Sequence, residues 1–163
     1  MVQTLSDFFR ASLNSGKDIV SLEGECRHIT SYLQIQQVRY QDILTYDVDI
    51  PEEIANCKIP KITLQPLVEN ALYHGIKNKR GKGRIVVTGR REKDKCVIRV
   101  EDNGIGMTKE RLNQVRGGLT TKIEDSNDFY GLYNVNERIR LKFGEGYGLS
   151  ISFPKLQPYS FIH

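Results

Sequence analysis

Leu64-Gln-Pro-Leu-Val-Glu-Asn-Ala-Leu-Tyr-His-Gly75 has the apolar spacing of a helix with one awkward residue inside it. Leu64, Leu67, Val68, Ala71 and Leu72 recur at helical intervals and form one stripe, which predicts a helix from Leu64 to about His74. Pro60 and Pro66 flank its start, and proline costs least in a first turn, where its missing N–H had no partner anyway. Asn70 and His74 are four apart and share another face, with Glu69 about 100° round from Asn70. Asparagine has poor helix propensity because it competes for backbone groups, so something besides local stability accounts for Asn70. Taken alone, Glu69-Asn70 is also what the polar flank of an ordinary amphipathic helix looks like.

Two strand-like runs follow, residues 84–90 and 95–102, joined by the polar turn Glu92-Lys93-Asp94. The second ends as Val97-Ile-Arg-Val-Glu-Asp102-Asn103-Gly104-Ile-Gly106-Met107, an acid where the strand stops and then two spaced glycines. Glycines let backbone approach a planar ligand, and a carboxylate accepts a hydrogen bond from an exocyclic amine such as that of adenine. The same letters also make an ordinary strand-to-loop turn. Residues 103–130 carry little periodicity beyond a short helix after Thr108, and so long a stretch inside a domain points to function. Tyr130-Gly131-Leu132-Tyr133-Asn134 then opens a helix expected from about Gly131 to Phe143, whose N-terminal N–H groups suit phosphate. A last strand is expected over Leu149–Phe153. There is no G-x-x-x-x-G-K-[ST], and Gly104-Ile-Gly106 lacks the third glycine of a dinucleotide turn.

Upstream, two helices are expected in series. One covers residues 4–14, with Leu5, Phe8, Phe9 and Leu13; the other runs from near Ser21 to about Tyr40, with Leu22, Cys26, Ile29 and Leu33 on one face. Residues 43–50 alternate as a strand closed by Pro51. The irregular alternation of helices and strands predicts an α/β sandwich, a mixed and largely antiparallel sheet covered by helices on one face, with N-terminal linker helices.

The 163 residues carry 24 Lys plus Arg against 20 Asp plus Glu, and the resulting +4 is too slight to imply nucleic acid. Basic Lys77-Asn-Lys-Arg-Gly-Lys-Gly-Arg84 reads better as an exposed loop than as a phosphate-binding patch, because no aromatic interleaving accompanies it. The sequence contains no run of about 18 apolar residues of the kind that could span a membrane. Met1-Val-Gln-Thr4 lacks a signal-peptide pattern. Cys26, Cys57 and Cys96, odd in number and without C-x-x-C, read as small apolar residues in a reducing cytosol.

In order, the three motifs resemble the Bergerat ATP-binding fold of the GHKL superfamily, which joins gyrase-type ATPases, heat-shock chaperones, sensor histidine kinases and mismatch-repair ATPases. Leu64–Gly75 is similar to the asparagine box of the LytS/YesM-like sensor histidine kinases, and Gly131-Leu-Tyr-Asn-Val-Asn-Glu-Arg-Ile-Arg-Leu141 to their final glycine box and following helix. Ser21-Leu-Glu-x-Glu-x-x-His28-Ile-x-x-Tyr-Leu-x-Ile-Gln36 is similar to their linker helix. The resemblance runs from about residue 5 to 154.

It implies ATP and Mg²⁺ as cofactors. Asn70 would ligate Mg²⁺ through its amide oxygen, and Glu69 would orient the metal-bound water or polarise the nucleophile. His74 and Lys77 would lie near the phosphates, and Asp102 would read adenine, with Gly104 and Gly106 giving room for the base. Residues 107–130 would be a lid over the nucleotide, with Lys109, Arg111, Arg116 and Lys122 as candidate phosphate partners. Gly131, Leu132 and the amides after Gly131 would cradle phosphate. It also implies residues 1–40 as the end of a dimerisation region and linker, 41–156 as the ATP-binding domain and 157–163 as a tail. The partners implied are an acceptor-histidine dimerisation helix of the same kinase and a response regulator, not nucleic acid. The domain would be cytoplasmic, and its full-length parent homodimeric and membrane-integral.

Three departures stand out. Tyr73 stands where the family often has Lys, and Phe129 where the last box usually has its first glycine. No N-P-H-F-L-x-N-like acceptor segment occurs; only His28, His74 and His163 are present, which implies a fragment that would not autophosphorylate alone. A non-catalytic nucleotide-binding module and an ATP-hydrolysing relative are the alternative functions.

Overall fold

The computed structural model describes residues 18–41, 43–121, 127–152 and 159–162. The helix expected over 4–14, Lys122 and His163 lie outside the described residues. β1 (Ile19–Ser21) leads into α1 (Leu22–Arg39), with the Ser21 hydroxyl accepting the Gly24 N–H at 3.2 Å as its N-cap. β2 (Leu44–Asp49), α2 (Glu52–Ala55) and β3 (Lys58–Pro60) precede α3 (Leu64–Asn70), which continues into a π-helical turn over Ala71–Ile76. β4 (Gly83–Glu92) and β5 (Lys95–Asp102) form a hairpin. α4 (Lys109–Gly118), α5 (Asn127–Phe143), β6 (Leu149–Ser152) and β7 (Tyr159–Ile162) complete the order.

The main sheet runs β2-β4-β5-β7-β6, with only β2 and β4 parallel; β1 and β3 form a second, two-stranded sheet. The mixed, largely antiparallel sheet with helices therefore stands as expected. Tyr159–Ile162, within the 157–163 expected as a tail, form β7 between β5 and β6, a placement that a four-residue strand does not announce in sequence. The three-residue strands β1 and β3 are likewise too short to show an alternation.

One core joins these elements. Leu22, Ile29 and Leu33 of α1 and Leu64, Leu67 and Val68 of α3 are all 1% exposed or less and lie in the same cluster as Ile85, Val87, Ile98 and Val100 of the sheet. α1, set apart in the sequence as a linker, is thus packed into the domain. Each buried Leu, Ile or Val contributes roughly 1.5–3 kcal/mol, so the stripe on α3 fixes its rotation and leaves Glu69 and Asn70 half-buried on its flank. Among the described residues, no helix is long and apolar enough to cross a membrane.

The cysteines differ from expectation. Cys57 and Cys96, 39 positions apart, are paired as a disulfide, because the hairpin returns the start of β5 to the lead-in of β3. Cys26 alone is free and buried, and burial, with Glu25 and Glu23 adding, pushes its thiol up to about 12.

Candidate functional site

β-pairing aims the acid. In the β4–β5 register Val87 faces Val100 and Ile85 faces Asp102. Alternation then puts Ile98, Val100 and Asp102 on one face of β5, the face whose other two side chains are core. Asp102 is the last residue of the strand, so its carboxyl sits at the rim of that core. Burial raises its pKa to about 6, while the Gly104 N–H, 2.8 Å from Oδ1, and the charge of Lys79 pull the other way.

The asparagine-box helix meets this strand end backbone to backbone. A Cβ on Gly104 would lie 2.3 Å from both C and Cα of Gly75, and one on Gly75 would lie 2.4 Å from Asp102 Oδ1. The contact is closed by the Ile105 N–H donating to Gly75 O at 3.1 Å. Gly75, at the end of the asparagine-box segment, is thereby joined to Gly104, Ile105 and the Asp102 carboxyl. Gly106 has φ +70, in the left-handed region that glycine occupies without strain.

Residues 71–76 wind as a π-helical turn, with the Lys77 N–H reaching Leu72 O at 2.8 Å. Such turns are frequent at functional sites. His74 and Lys77 are exposed there. Lys77 Nζ lies 5.7 Å from the centroid of the Tyr73 ring, so a positive charge is kept beside the position where the family often has Lys. The Asn70 amide offers a hard oxygen, which suits Mg²⁺ because it takes few protein ligands and fills its shell with phosphate oxygens and water. Among the described residues, no group of three His, Cys, Asp or Glu is placed to hold a metal by itself.

Other sequence expectations are redistributed. α4 follows Thr108, whose hydroxyl accepts the Arg111 N–H at 3.2 Å, as the short helix was expected to do. Arg116 Nε donates to Ile151 O at 2.8 Å, which ties that cation to β6. In the basic loop, Lys79 Nζ donates to Asn103 O at 2.7 Å, next to Asp102, and the exposed Arg84 guanidinium pairs with Asp47 of β2 at 2.8 Å. Gly131 does not open a helix. α5 begins at Asn127, which puts the Gly131 amide in the second turn and Leu132, 3% exposed, in the core. The helix start placed at Gly131 is corrected accordingly. A single glycine costs a helix only about 1 kcal/mol, which packing of Leu132 and Val135 outweighs.

Sequence reasoning missed Glu25, Gln65 and Arg138. Glu25 is 2% exposed and accepts three backbone N–H groups around residues 62–64. A signal was present: Glu25 is three after Leu22 and four before Ile29, an acid inside an apolar stripe.

The family described as histidine kinase-, DNA gyrase B- and HSP90-like ATPase matches residues 60–156, and a histidine kinase family matches residues 1–44. Sensor histidine kinase BtsS of Escherichia coli (strain K12) is 34% identical over 152 residues, covering 93% of this chain and 25% of BtsS. Sensor histidine kinase YesM of Bacillus subtilis (strain 168) is 38% identical over 152 residues, covering 93% of this chain and 24% of YesM. The chain spans about a quarter of the length of these curated relatives. The catalytic domain of histidine kinase ThkA has the same fold, with a TM-score of 0.64 at 10% identity over 88% of this chain and 93% of that one. On these matches the chain belongs to the histidine kinase-, DNA gyrase B- and HSP90-like ATPase family, on the side of its LytS- and YesM-like sensor histidine kinases.

Proposed function

We propose that this chain is the ATP-binding catalytic part of a sensor histidine kinase, transferring the γ-phosphoryl group of ATP to a histidine on a dimerisation helix of the same kinase. A response-regulator aspartate then takes the group. The close packing of Gly75, at the end of the Asn70 helix, against Gly104 and the half-buried Asp102 carboxyl supports this reading, because it sets the end of the asparagine box beside the acid that would read adenine. Asp102 accepts from the exocyclic amine of adenine, and Gly104 and Gly106 leave room for the base. Asn70 holds Mg²⁺, which offsets phosphate charge when bound. Glu69 orients water or the acceptor imidazole, and His74 and Lys77 face the phosphates. Gly131 and Leu132 meet phosphate through their amides, which requires the first turn of α5 to open around the nucleotide. Residues 41–156 make up most of the catalytic unit, with α1 and β7 packed into it, within a homodimeric parent anchored in the membrane.

Asn70→Asp tests the metal role. With labelled ATP, Mg²⁺ and an acceptor-helix peptide, transfer is expected to fall on the order of 10²-fold or more while part of the nucleotide affinity survives. Normal transfer by that variant removes Asn70 from the chemistry.

A further inference from the structure

α1 sends two buried polar side chains into α3, one helical turn apart. Glu25 Oε1 accepts the Ile62 N–H at 2.7 Å, and its Oε2 accepts those of Thr63 and Leu64 at 2.9 and 3.1 Å. These are amides that the start of a helix leaves without intrahelical partners. Thr63 stands in the cap position but makes no side-chain cap bond; its hydroxyl donates to Pro60 O at 2.6 Å instead. The cap is therefore delivered by another helix. The loop it grips is a constrained one, for Ile62 has φ +57, unfavourable for a β-branched residue. From the other side, the Arg138 guanidinium of α5 donates to Lys61 O at 2.8 Å and Ile62 O at 2.7 Å.

His28, 4% exposed, lies three residues on from Glu25. Its Nε2 is 2.6 Å from Gln65 Oε1, and Gln65 Nε2 donates to Glu69 Oε1 at 2.8 Å. With the amide nitrogen turned toward the carboxylate, the amide oxygen faces the imidazole, so His28 Nε2 is the donor. A line of hydrogen bonds thus runs from α1 through α3 to the carboxylate beside Asn70.

We infer that Glu25 and His28 are positioning residues for the phosphoryl transfer: Glu25 sets where α3 begins, and His28, through Gln65, sets how Glu69 points. The inference rests on the catalytic reading of Glu69 and Asn70 given above. A local Ser, Thr or Asp cap would satisfy α3 as well without α1. The carboxylate from α1 makes the placement of that helix a condition for the geometry of the site, where misplacement by about 1 Å costs on the order of 10²-fold in rate.

The test uses the 163-residue chain with Glu25→Gln, His28→Leu and His28→Gln. It measures transfer from labelled ATP to an acceptor-helix peptide, ATP affinity, and hydrogen exchange at the amides of residues 62–64. His28→Leu is expected to lower kcat about 10-fold with the KM for ATP within about 2-fold, the range seen when a supporting hydrogen bond to a site residue is lost. His28→Gln should regain most of that rate, because its amide nitrogen can donate to Gln65 as the imidazole does. Glu25→Gln should speed exchange at residues 62–64 at least about 10-fold and lower kcat about 10- to 100-fold. Unchanged kcat in His28→Leu, or equal loss in His28→Gln and His28→Leu, overturns the role of His28. Unchanged exchange in Glu25→Gln overturns that of Glu25. If the unaltered chain binds ATP yet labels no peptide, the kinase reading fails instead, and amide exchange still decides whether α1 places α3.

Discussion

The two ends of the candidate nucleotide site use glycine in opposite ways. At the base end, Gly104 and Gly75 bring two stretches of backbone into contact, with the Asp102 carboxyl packed beside them. At the phosphate end, Gly131 sits in the second turn of α5, where the nearest outside atom to an added Cβ is Pro66 Cβ at 3.8 Å. The first glycine is demanded by space, and the second only tilts a balance between helix and open chain. A motif with two glycine boxes therefore contains one rigid joint and one adjustable one.

Gly104→Ala should expose the rigid joint most forcefully. Its Cβ would fall 2.3 Å from backbone atoms of Gly75, which cannot swing aside as the end of a side chain can. The Ile105 N–H to Gly75 O bond must then open, and the domain should lose about 3 kcal/mol or more, with nucleotide binding lost alongside. A urea unfolding midpoint equal to that of the unaltered chain would mean the two backbones are not in contact.

Asp102→Asn separates the chemistry of that joint from its packing. Replacing an ionised acceptor is expected to weaken ATP about 10- to 100-fold at pH 7.5, the usual worth of a hydrogen bond to a charged group. Because burial raises the carboxyl from 3.8 to about 6, the native chain binds more protons than the unfolded one between those values. This contribution to stability is complete below about pH 4 and lost as pH rises through about 6, by roughly 1–3 kcal/mol. Asp102→Asn should flatten that decline in a series of denaturation curves. An adenine amine favours the ionised form, so affinity should drop below about pH 6, and calorimetry near that pH should detect proton release on binding. A pH-independent affinity in the unaltered chain would detach Asp102 from the base.

How much of this was legible follows from what each part needs. The stripes of α1 and α3 and the β4–β5 hairpin depend on periodicity, which Leu22, Ile29, Leu64 and Leu67 supply directly. Asn70 and Asp102 could be named as candidates because residue type and order carry the motif, but the contact of Gly75 with Gly104 and Asp102 is one of atoms that the letters do not encode. The π-helical turn was invisible because apolar spacing over six residues does not separate a four-residue from a five-residue hydrogen-bond step. Glu25 and Arg138 act on a loop far along the chain and Gln65 links two helices, and only the misplaced acid in the stripe hinted at them. Asn127-Asp-Phe-Tyr-Gly131 read as loop because weak helix formers precede a glycine, yet the packed turns that follow pull them into α5.

Gly131→Ala probes the adjustable joint and carries the smallest energy. In a helix interior the change should raise stability by about 0.5–1 kcal/mol, since the space at Pro66 is ordinary van der Waals distance. If phosphate is met by the amides of Gly131 and Leu132, nucleotide must first open the turn that alanine strengthens. The same energy then opposes binding, and affinity should fall by about 2- to 5-fold as thermal stability rises. Stability raised with affinity unchanged would mean that α5 stays wound when nucleotide binds, which would pass the phosphates to the amides of its first turn, upstream of Gly131.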